Sequence, residues 1–140
     1  MPQVKFLAVI ICSLLCIGTF CQTNTSKFNY IDTAIFQDNA HHWYDINEKD
    51  RLIQPKNNQP RYRANELVAI GNNILLFQKN NGGWPKNYDM QAILTTNQID
   101  TLMAAKDAIN TTFDNRTTYS HIACLSKIYY THKDERYKNA

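Results

Sequence analysis

Two short stretches carry residue types that could do chemistry. The first is GGWPKN, from Gly82 to Asn87. The chain has only four glycines, and two of them stand side by side here. Asn81-Gly82-Gly83 suits a turn with positive φ, which glycine tolerates, and paired glycines let a ligand approach the backbone closely. Trp84 offers a flat apolar face of the kind that stacks on a sugar ring. Pro85 stiffens the loop and holds Trp84 extended. Lys86 is a cation suited to a carboxylate or phosphate, and Asn87 brings a donor and an acceptor. The same residues also suit a plain helix-to-helix turn whose tryptophan plugs the core. The spacing is neither that of a dinucleotide-binding loop nor that of a P-loop.

The second stretch runs from Phe113 to Thr118. Asp114, with Asn115 and the hydroxyls of Thr117 and Thr118, supplies hard oxygen atoms of the kind that bind Ca²⁺ or Mg²⁺. One aspartate is not a calcium site, which takes about six to eight oxygens. The simpler role for Asp114 or Thr117 is to cap the helix that follows. His41, His42, His121 and His132 lack the spacing of metal ligands, and no Ser-His-Asp order is worth defending.

Helices must position these loops. Leu67, Ile70, Ile74 and Phe77 fall at helical spacing and predict a helix over 64–79. Ile99, Leu102, Met103 and Ile109 predict a second over 97–110, with Asn97 as its cap. Ile122, Leu125, Ile128 and Tyr129 predict a third over 118–131, facing inward. Asp134-Glu135 opens a fourth. Residues 22–60 are polar and weakly periodic and read as a lead-in segment, with Pro55 and Pro60 bracketing a loop. No alternating apolar run competes as a strand. The expected fold is all-α, built from helix pairs, and three helices with a stub bury little surface for a secure domain.

Residues 1–21 read as an export signal, with Lys5 as the basic start and an apolar run from Phe6 to Phe20 that is short for a membrane span. Cleavage is expected before Gln22, and export into the periplasm or medium follows. Lipidation at Cys21 is the alternative. Cys12, Cys16 and Cys21 lie in this leader, so the mature chain keeps only Cys124 and has no internal disulfide. The net charge of +3 is scattered and mixed with acids, which gives no nucleic-acid footprint.

FQKNNGGWPKNYDM (Phe77 to Met90), followed by TTFDNRTTYSHIACLSKIYYTHKDERYKNA, resembles the family 10 polysaccharide lyases, which are pectate lyases. The match covers roughly Arg63 to Ala140. The resemblance implies an (α/α) toroid of helix pairs, of which residues 61–140 would be the N-terminal part. It implies calcium-dependent β-elimination on α-1,4-polygalacturonate, by a monomer. By motif, Asp114 would help bind calcium, while Lys86 and Asn87 lie near the substrate cleft. Trp84 shapes that cleft, and Thr118 matches the hydroxyl of the aspartate loop. The chain departs from the family at Arg116 and Thr117, where Gly-Ala is usual. No arginine here stands at the family's catalytic-base motif, and its second Gly-Gly-Trp-Pro loop and second calcium aspartate have no match. The 140 residues are therefore expected to be inactive alone. Two rival readings are a non-catalytic uronate-binding protein and a helical interaction module.

Overall fold

A computed structural model describes residues 30–45 and 51–140, so the expected leader lies outside the described residues. A 3-10 turn, Thr33–Phe36, leads directly into α1, Gln37–Asp45. Then follow α2, Leu67–Phe77; α3, Thr96–Ala104; a 3-10 turn, Asp114–Arg116; α4, Thr117–His132; and α5, Glu135–Asn139. No strand forms among the described residues; Arg61 and Ala92 make one isolated antiparallel bridge. No described helix is long and apolar enough to cross a membrane.

The all-α expectation agrees with this architecture, but α1 falls within the stretch read as a lead-in. Phe36, Ala40 and Trp43 recur at helical spacing, and all three are buried. Trp43 also donates its indole N–H to the Ile53 carbonyl at 3.2 Å, which ties the segment after α1 to the core. The aromatic knot at His41 to Tyr44 is thus the last turn of a packed helix.

Helix α2 is the central element. Leu67, Ile70, Ile74 and Phe77 are buried as their spacing predicts. Its buried Asn73 donates to the carbonyls of Met90 and Ala92, at 2.9 and 2.6 Å, and so pins the irregular segment before α3. A methyl group on Gly71 would sit 2.6 Å from the Ile128 side chain and 2.9 Å from the Tyr137 ring, so glycine lets α4 and α5 close on α2. Asp134 caps α5 by accepting from the Arg136 N–H, as the sequence predicts.

Helix α3 differs from expectation at both ends. Thr95, not Asn97, is its cap, and Gln98 completes a capping box with it. The helix stops at Ala104, because Lys106 turns away to another task. Its ammonium donates to the carbonyls of Leu75, Leu76 and Gln78 at 3.0, 2.7 and 2.7 Å. These are end-of-helix carbonyls of α2 that no backbone N–H reaches. Burial, then the neighbouring Lys79 charge, pulls the Lys106 pKa down. Ile109, expected within the helix, lies outside it and is 90% exposed, Met103 is exposed, and Ile122 of α4, expected to face inward, is exposed too. Leu125 and Ile128 of α4 are buried as expected, together with Thr117, Ser120, His121 and Cys124. Cys124 is a free thiol, and burial pushes its pKa up to about 12.

Candidate functional site

The GGWPKN loop begins where α2 ends. Gln78 turns extended, and its side chain holds the Gly82 carbonyl at 2.9 Å. Gly82 takes φ of 85°, the positive value expected of the turn. Gly83 serves a different purpose from ligand approach: a Cβ there would meet Thr111 at 2.8 Å. The strand of chain before Asp114 therefore lies flat against the loop, and the Thr112 N–H donates to the Trp84 carbonyl at 2.9 Å. The two loops singled out in the sequence are held side by side.

Their charged ends meet. Lys86 Nζ lies 3.5 Å from Asp114 Oδ2, with the two side chains 48% and 60% exposed. An ion pair this open contributes little to stability. It leaves both groups accessible to a ligand.

Trp84 does not offer its face as expected. It is 2% exposed and donates its indole N–H to the Ile74 carbonyl at 2.8 Å, at the last turn of α2. The ring packs near His121, with centroids 5.4 Å apart. It is a core plug that fixes the loop, because an indole carries more apolar surface than this turn could leave in water. Asn87 is also buried, with φ of 61°, and its N–H donates to Asn39 Oδ1 at 3.1 Å. Its place is beneath the site, where its backbone is tied down. Thr118 donates its hydroxyl to the Thr112 carbonyl at 2.9 Å and so closes the second loop.

Asn39 is the residue that the sequence reading missed. Fully buried on α1, its Oδ1 also accepts from Thr117 Oγ1 at 3.0 Å. One amide oxygen thus joins α1, the GGWPKN loop and the start of α4. The signal in the sequence was faint: an asparagine in an Asn-rich segment, on the same face as Phe36, Ala40 and Trp43.

The donor set for a metal is small. Among the described residues no group of three His, Cys, Asp or Glu side chains comes together. Asp114 supplies one carboxylate, short of the oxygens a calcium ion requires. These residues do not make a calcium cage by themselves.

Arg116 occupies the left-handed region, with φ of 57°, at the junction of the 3-10 turn and α4. Its side chain is exposed. A non-glycine residue here carries strain on the order of 1–2 kcal/mol, partly offset by the chain entropy that glycine would lose. Arg116→Gly is expected to raise stability by about 0.5 kcal/mol, read as a higher urea midpoint at unchanged slope.

The geometry now meets the comparison with known families. Residues 78–140 match the family model for pectic acid lyase. The match relates this region to the pectate lyases, supports a lyase-type function and points to pectate as the substrate. It begins at the end of α2 and takes in both loops with α3, α4 and α5. The matched region therefore includes Lys86 and Asp114, whereas α1 and Asn39 lie outside it. No curated protein and no solved structure matches the chain.

Proposed function

We propose that this chain carries substrate-binding loops of an exported, family 10 pectate lyase, which cleaves α-1,4-polygalacturonate by calcium-dependent β-elimination on an (α/α) toroid. The observation that carries the reading is the pairing of Lys86 with Asp114, which joins the two motif loops at one open point. Lys86 is the residue to take the carboxylate of a galacturonate unit, as a compact charge on a flexible stem. Asp114 lies beside it and would offer one carboxylate to calcium, which would supply charge stabilisation at the substrate carboxylate. Trp84, Asn87 and Thr118 set the position of Lys86 and Asp114 through the contacts described above. No arginine in the chain stands at the family's base motif, so the proposed role of these loops is binding.

The test is calorimetric titration of the chain with trigalacturonate, with and without calcium. Lys86→Gln removes one charge-assisted contact and is expected to weaken binding about tenfold. Asp114→Asn is expected to abolish the calcium dependence. Unchanged binding in both variants would sink the assignment.

A further inference from the structure

A groove of about 450 Å³ runs from the GGWPKN loop to the segment after α1. Its volume falls in the range of ligand sites. Lys86 lines it from the loop, and Arg51 lines it from the segment before α2, outside the pectic acid lyase match. Among the described residues no acidic side chain lines it. The remaining walls include Leu52, Phe77, Pro85 and Leu102, with the exposed amide of Asn110 beside them. Two cations against apolar walls favour an anion, although Lys86 shares its charge with Asp114, which lies outside the groove lining.

Arg51 retains capacity for such a ligand. One terminal nitrogen donates to the His42 carbonyl at 2.9 Å, and the other is only 3.5 Å from Gln54 Oε1. Its Nε has no hydrogen-bond partner among the described residues but is buried, so the N–H groups left on the two terminal nitrogens are the ones a ligand would use. A guanidinium carries five N–H donors in a fork suited to carboxylate. By contrast, the wider groove at the start of α2 is lined by Glu66 and His132 and, among the described residues, by no lysine or arginine. Its chemistry does not suit the same ligand.

We infer that the groove between Lys86 and Arg51 is a second subsite for a carboxylated sugar, next to the unit held at Lys86. The inference rests on the proposed uronate-binding role and extends the binding surface beyond the matched family region. Arg51 selects charge, and the apolar walls receive the carbon face of the sugar ring.

The probe is trigalacturonate, with a neutral galactose trisaccharide as control, titrated into the chain. Arg51→Gln is expected to weaken trigalacturonate about tenfold. Since Arg51 also holds the His42 carbonyl, Asn110→Asp provides a second variant: it sets a carboxylate in the groove from an exposed position, and weaker binding is again expected. Wild-type affinity in both variants, with loss in Lys86→Gln, would overturn the second subsite and leave the proposed function standing. Equal affinity for the neutral sugar would overturn its basis in charge. Failure of the parent chain to bind trigalacturonate would overturn both.

Discussion

Asn39→Ala should cost about 3 kcal/mol, a large fraction of the stability of a domain this size. The reason is the two donors that its amide oxygen receives, the Asn87 N–H and the Thr117 hydroxyl. All three residues are buried. Truncation leaves both donors facing a cavity, and each unsatisfied group costs about 1–3 kcal/mol. Urea unfolding followed by circular dichroism gives the measure. The loss should exceed that of Asn39→Asp at neutral pH only if the carboxylate is accommodated by the same two donors. A change in the alanine variant below about 1 kcal/mol would show that the three segments are held by other contacts.

Acid should destabilise the fold through His121. This ring is fully buried on α4, with Phe36, Trp84 and Tyr88 around it. Its Nε2 lies 3.2 Å from the Tyr88 hydroxyl, and Nδ1 has no partner. Burial pulls its pKa from 6.5 down to about 3. Below pH 6.5 the unfolded chain takes up a proton that the folded chain refuses, so stability falls as pH falls. Each pH unit within that window costs about 1.4 kcal/mol, or roughly 4 kcal/mol by about pH 3.5. The loss ends once pH passes below the folded value, where both states are protonated. Urea midpoints at a series of pH values test this. His121→Gln should flatten the dependence between pH 6.5 and 3 while lowering stability at neutral pH. An unchanged slope in that variant would assign the acid response to carboxylates instead.

Much of the helical frame could be read directly. The spacing of Leu67, Ile70, Ile74 and Phe77 gave α2, because a buried central helix must carry an apolar stripe. Asp134 announced α5, because a side-chain acceptor before a charged turn is a local signal. The errors came where distant contacts decide. Asn97 was expected to cap α3 and Thr95 was not considered, and the choice turns on Gln98, whose side chain also reaches Gln54 and Gln59. The apolar Ile109 extended the pattern of α3, yet the helix ends early because Lys106 leaves it to cap α2. At the site, the motifs located Lys86 and Asp114, but not their pairing. Trp84 could face a ligand or the core, and only the Ile74 carbonyl distinguishes the two. Asn39 and Arg51 were unreadable as site elements, since neither belongs to a local motif and Asn39 meets its partners 48 and 78 positions away.

Both tryptophans of the chain are buried, and each stands in a different part of it. Trp43 belongs to α1, outside the pectic acid lyase match, and Trp84 belongs to the loop within it. Their indole nitrogens are bound to different carbonyls, those of Ile53 and Ile74. Intrinsic fluorescence is therefore a two-channel reporter. A single-tryptophan protein made by replacing either ring with phenylalanine follows one half of the fold alone. It shows whether the α1 segment detaches before the matched region loosens or whether both let go together.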